Sequence, residues 1–196
     1  MIFLVLSLAS AADLEIAAEV GTAPASSPSQ VRFGSGDSMP TIGGRAGLAL
    51  TDALTVQLAA HHGRRGATWF GPDNQAIGAA AFYATDIALG LEAVAPVNEY
   101  FAVGGVGSAT GQFSLARFDD DPDNRNSLIQ KSANAFSPGF RLAPAVRISI
   151  PESAIPIPIQ LRASLGYQWT TPIDLSDFGS TATRGMSLRV SLGVQL

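Results

Sequence analysis

Between Met186 and Leu196 the chain changes character at every residue: Met186, Leu188, Val190, Leu192, Val194 and Leu196 alternate with Ser187, Arg189, Ser191, Gly193 and Gln195. A period of two cannot line one face of a helix, so the run is a strand with one apolar face and one small or polar face. The pattern recurs. Leu14, Ile16, Ala18 and Val20 alternate with Glu15, Ala17 and Glu19, and the apolar positions from Ile42 to Leu50 alternate with a face carrying Arg45. Leu54 to Ala60 alternates with Thr55, Gln57, Ala59 and His61; Tyr83 to Ala93 with Asp86 and Glu92; Phe140 to Ile150 with Arg141 and Arg147; Ile157 to Trp169 with Arg162. Another strand is expected around Tyr100 to Gly107, making eight, and its glycines predict a bulge. Pro144 lacks an N–H for a ladder and predicts a bulge or local break, whereas Pro158 lies early in its strand and is tolerated at the rim.

The connections alternate in length. Short turns fall at Thr51 to Ala53, Pro96 to Glu99 and Pro151 to Pro156; long polar segments fall at Gly21 to Pro40, His62 to Gly78, Ser108 to Ala135 and Thr170 to Gly185. Three short turns and four long loops join eight strands with both chain ends on the short-turn side. Tyr83, Phe136, Phe140, Tyr167 and Trp169 cluster near the long loops, and Tyr100 and Phe101 near a short turn, as two interfacial girdles would.

Only 14% of residues are charged, against the quarter to a third of a typical water-facing surface. The longest uncharged stretch, Tyr100 to Ala116, is 17 residues long and rich in Gly, Ser and Thr, so no helix is expected to span a bilayer. A spanning chain without helices must close into a barrel, because lipid cannot satisfy an open sheet edge. Five arginines, Arg45, Arg141, Arg147, Arg162 and Arg189, share the non-apolar faces. Facing hydrocarbon near the midplane they would cost about 2 to 4 kcal/mol each, roughly 10 to 20 together, as much as the ~5 to 15 kcal/mol stability of a whole domain. They therefore point inward, where Glu15, Glu19, Asp86 and Glu92 have the same parity. An eight-stranded interior is just wide enough for side chains to fill, so the expected lumen is an ion-paired plug. The soluble alternative, a lipocalin-like lipid carrier, turns the apolar face inward and leaves a Gly, Ala, Ser and Arg surface to water.

With these features the chain resembles the small eight-stranded outer-membrane barrels of OmpA/OmpX/OmpW type, from Asp13 to Leu196. The resemblance implies an antiparallel up-and-down transmembrane β-barrel with short periplasmic turns and four long outer loops. It also implies the outer membrane of a Gram-negative bacterium, contact with its lipid and lipopolysaccharide, and other envelope proteins as partners. The family's final residue is usually aromatic; here it is Leu196. Residues 1–11 read as a signal peptide, an apolar run closing on Ala9-Ser10-Ala11, which leaves 12–196 for the barrel.

No Cys is present, which excludes disulfides and thiolate metal sites. A pI near 5.0 lacks the basic footprint of a nucleic-acid binder. His61 and His62 read as a polar loop base, and no nucleophile, base and orienting acid are legible as a triad, so neither an enzyme nor a cofactor is expected. Arg64 and Arg65, beside Trp69 and Phe70, are expected to contact lipopolysaccharide, since paired guanidiniums bind phosphate bidentately. The acidic run from Asp119 to Asn124 lacks the EF-hand pattern and reads as solvated rather than as a metal site. The leading expectation is a non-enzymatic barrel with a structural, adhesive or interaction role through its long loops, alone or as a subunit of an envelope complex. The alternative is a small transporter of hydrophobic molecules through a lateral gap near the glycine-rich fifth strand or Pro144.

Overall fold

The computed structural model describes residues 13–25, 37–74, 76–120, 130–150 and 158–196. The expected signal segment and the third short turn fall outside them. Eight long strands, β1 (Leu14–Pro24), β2 (Ser38–Thr51), β3 (Leu54–Phe70), β4 (Ala76–Pro96), β5 (Phe101–Asp119), β6 (Gln130–Ile150), β7 (Ile159–Thr170) and β10 (Arg184–Gln195), form a closed antiparallel barrel. Neighbours in sequence are neighbours in the wall, and β1 pairs with β10 to close it. The two-residue strands β8 (Ile173–Asp174) and β9 (Ser180–Thr181) form a small hairpin within the last long connection.

The wall is inside out relative to a water-soluble barrel. Along β4, Ile87, Leu89 and Leu91 are exposed while Asp86, Ala88 and Glu92 are buried; along β10, Met186, Leu188 and Leu192 face outward and Ser187, Arg189 and Ser191 inward. This is opposite to the orientation a soluble lipid carrier requires, and it suits strands bathed in hydrocarbon with backbone polar groups satisfied by the ladder. The short-turn end is tightly made. Asn98 Oδ1 accepts from the backbone N–H of both Tyr100 and Phe101 at 2.9 Å, a side chain standing in for a backbone turn.

Two expectations need correction. The segments His62 to Gly78 and Ser108 to Ala135 are largely ladder, not loop: β3 and β4 pair from Leu54↔Ala93 up to Phe70↔Ala76, and β5 and β6 from Phe101↔Ile148 to Asp119↔Gln130. β4 has 21 residues, whereas about 9 to 11 tilted residues cross the hydrocarbon, so roughly half of it projects beyond. The β3–β6 side therefore stands as a tall four-stranded sheet above the membrane-spanning part. Nor do the β5 glycines make a bulge, since β5 keeps constant register with both neighbours; the irregularities lie between Ala49 and Thr51 and between Trp69 and Phe70. Gly104 instead permits close approach, for a Cβ there would lie 2.0 Å from the Ala93 carbonyl oxygen.

At Pro144 the β6–β7 ladder is interrupted between Leu142↔Tyr167 and Ala145↔Ser164 with no change of register, as a residue without an N–H dictates. The gap does not open the wall. Gly166, opposite Ala143, sits so close that a Cβ would meet the Leu142 carbonyl oxygen at 2.2 Å. The lateral openings expected of a transporter are thus absent at both places.

The inner face of the tall sheet carries an apolar cluster. Ala80, Phe82, Ala84 and Ala116 pack with Ala23, Ala25, Met39 and Leu175, with Phe118 and Phe178 against them. Leu175 and Phe178 belong to the β8–β9 hairpin and its 3-10 turn (Ser176–Phe178), which folds over the long-loop end as a cap. Lys131 Nζ donates to Asp177 Oδ2 at 2.8 Å across that cap, and Thr171 N donates to the Pro138 carbonyl at 2.8 Å.

Candidate functional site

The inward parity of seven strands converges on one ionic cluster. Arg45, from β2, donates through Nη1 to Glu15 Oε2 at 3.0 Å and through Nη2 to Glu15 Oε1 at 2.5 Å, a bidentate pair across the β1–β2 ladder. Its Nε reaches Glu19 Oε1 at 3.3 Å. Glu19 is the hub: His61 Nε2 meets its Oε2 at 2.5 Å and Arg162 Nη1 its Oε1 at 3.6 Å. Glu92, fully buried, lies 3.2 Å from Arg162 Nε and 3.3 Å from Arg147 Nη2, contacts that pair charge without aligned hydrogen bonds. Asp86 accepts from Gln168 Nε2 at 2.8 Å and lies 3.8 Å from Arg189. Among the described residues Arg141 joins no carboxylate; its Nε donates to Ser187 Oγ at 2.8 Å and its Nη2 to Ser164 Oγ at 2.9 Å.

All nine residues expected in the lumen cluster therefore point inward, including Arg147 toward the short-turn rim. The void among Glu19, Arg45, Arg141, Arg162 and Arg189 is about 10 Å³, room for no more than about one water. Chemically the cluster can hold the interior shut. His61 is not a loop residue but a buried member of this network, and its odd position in β3, in phase with Thr55 and Gln57, was the signal for it. The apolar cap was also missed, although Gly78 to Ala84 is apolar or small at both parities, which marks a segment covered on both sides.

Arg64 and Arg65 are not a pair. Successive strand residues face opposite sides, so Arg65 is buried and donates to the Ala25 carbonyl at 3.1 Å, while Arg64 lies outside, 5.5 Å from the centre of the Tyr83 ring. The two guanidiniums cannot grip one phosphate. On the outer wall His62 Nδ1 meets Thr85 Oγ1 at 3.0 Å; among the described residues no carboxylate pairs with His62, so this dyad lacks the orienting acid of hydrolase chemistry. Asp121, Asp123 and Asn124 of the acidic run lie outside the described residues.

No protein-family model and no curated protein matches the chain. Among solved structures it is similar to Ail, the attachment invasion locus protein of Yersinia pestis, at 11% identity and a TM-score of 0.53, covering 94% of this chain and 97% of that one. It is also similar to a major outer membrane protein from Thermus thermophilus, at 11% identity and a TM-score of 0.52, covering 93% and 99%. At such identities the likeness is one of fold: a small outer-membrane barrel.

Proposed function

We propose that this chain is a non-enzymatic outer-membrane barrel of a Gram-negative bacterium, its lumen closed by ion pairs, acting as a structural, adhesive or interaction protein through the parts that project outward. The observation that carries this reading is the division of the wall: a spanning part with apolar exterior and charge-filled interior, below a tall β3–β6 sheet whose length exceeds what the hydrocarbon needs. A filled lumen does not conduct, so the projecting sheet is what remains available for work. The continuous β5 ladders and the tight contact at Gly166 argue against lateral release of apolar solutes.

Two measurements test this. Liposomes containing the barrel should show no more ion or small-solute flux than empty ones; conductance would overturn the closed lumen. Replacing the tips of the β3–β4 and β5–β6 hairpins with tight turns should preserve the mobility difference between unboiled and boiled samples yet reduce attachment of expressing cells to surfaces. Unchanged attachment would overturn the interaction role.

A further inference from the structure

On the outer wall three rungs cross β3 to β6 at the level where the exposed face turns from apolar to polar. The lowest is His62–Thr85–Phe113–Phe136, the next Arg64–Tyr83–Leu115–Asn134, and the third Gly66–Ala81–Arg117–Ser132. Below them along β4 lie Ile87, Leu89 and Leu91, all exposed. Counting from Ala95 at the short-turn rim, about 9 to 11 tilted residues bring β4 through the hydrocarbon at about Thr85 to Ile87, so Arg64 and Arg117 stand just above its outer edge.

Two grooves meet there. One of about 670 Å³ is lined by Tyr83, Phe113, Leu115 and Phe136, and the other, about 800 Å³, by Arg64, Ala79, Ala81 and Arg117; Arg117 belongs to both. The register puts Arg64 and Arg117 on strands flanking β4 and two residues out of step, about 12 Å apart at Cα from strand spacing and rise, so their side chains can converge above the small Ala81. Among the described residues neither guanidinium is ion-paired, and no carboxylate lines the lower groove. Asp119, at the far end of the upper groove, accepts from Gln130 Nε2 at 3.4 Å.

We infer that this face binds a phosphorylated outer-leaflet glycolipid of the lipid A class, one phosphate held between Arg64 and Arg117 and an acyl chain laid past Phe113 and Phe136. The inference rests on the outer-membrane reading above. Charge complementarity selects the headgroup, because guanidinium forks match phosphate oxygens, and the apolar lower groove selects a tail directly beneath it.

The test extracts the purified full chain with mild detergent from vesicles of phosphatidylcholine containing lipid A, dephosphorylated lipid A or phosphatidylglycerol, and counts retained lipid by mass spectrometry. Unboiled gel mobility reports separately whether the barrel is intact, so failure of the outer-membrane reading and failure of this site are distinct. The expected result is about one lipid A per barrel, at least tenfold less dephosphorylated lipid A or phosphatidylglycerol, and at least tenfold less lipid A on Arg64→Ala/Arg117→Ala with partial rescue by the double lysine variant. Equal retention of the dephosphorylated form, of phosphatidylglycerol, or by the alanine variant would overturn it; the comparison among lipids uses the wild-type chain and stands even if a variant misfolds.

Discussion

Glu19 and Arg141 occupy one lumen but different electrostatic situations. Glu19 touches Arg45, His61 and Arg162, so Glu19→Gln leaves cations facing one another in a site with no bulk water to relax into. Breaking a buried pair from one side costs about 3 to 5 kcal/mol, and a loss of that size is expected in urea unfolding of the barrel in lipid vesicles. Arg141 is the surplus cation, since the five lumen arginines Arg45, Arg141, Arg147, Arg162 and Arg189 oppose the four carboxylates Glu15, Glu19, Asp86 and Glu92, and among the described residues only serine oxygens hold it. Arg141→Met forfeits those hydrogen bonds but also removes an unpaired buried charge, effects of opposite sign and similar size. Its unfolding midpoint should move by less than half the shift seen for Glu19→Gln; equal losses would mean that the network does not discriminate paired from unpaired charge.

At the scale of strands, the β6–β7 seam is where sequence and packing are most tightly linked. Pro144 removes a donor from the ladder, and Gly166 lets the two backbones close over the gap. Gly166→Ala would place a methyl 2.2 Å from the Leu142 carbonyl oxygen and 2.3 Å from the Ala143 Cβ, neither of which is a flexible side-chain end, so the strands must part. Overpacking of this kind costs about 1 to 3 kcal/mol and should lower the temperature at which the unboiled gel band is lost; an unshifted band would show that the seam can yield. Parity was legible wherever one face met lipid and the other the lumen, because both environments constrain composition: Leu188 against Arg189 and Ile87 against Asp86 leave no ambiguity. It faded where β3 to β6 leave the membrane, since an outward residue such as Gly66 or Thr68 need no longer be apolar and an inward one such as Phe82 need no longer be polar. Backbone pairing continues without that contrast, which is why ladder looked like loop. Arg64 and Arg65 mislead for the same reason: as loop neighbours they share a side, as strand neighbours they cannot.

The whole molecule is held by two different forces stacked along one axis, charge pairing inside the spanning part and apolar contact beneath the cap. Among the cap's attachments are the Lys131–Asp177 ion pair at its surface and Leu175 beneath it. Lys131 holds the Asp177 carboxyl below the usual carboxylate range through its hydrogen bond and charge. A carboxyl so depressed contributes stability that is fully present above its unfolded pKa, about 3.9, and is lost as pH falls through the lower folded value. That contribution is small, because both groups are solvent-exposed and water screens them. Leu175 is 1% exposed, and truncating a buried leucine costs about 2 to 5 kcal/mol, so burial decides whether the cap stays shut. Acidification until Asp177 is protonated, or Lys131→Met, should therefore leave the hairpin protected from protease, whereas Leu175→Ala at neutral pH should expose it to cleavage and let a hydrophobic dye reach Phe82. At neutral pH the spanning part should stay folded in both variants, retaining its unboiled mobility, because the lumen network makes no use of the cap's apolar contacts. Release of the hairpin by Lys131→Met alone would reverse the ranking and make the surface ion pair the true fastening.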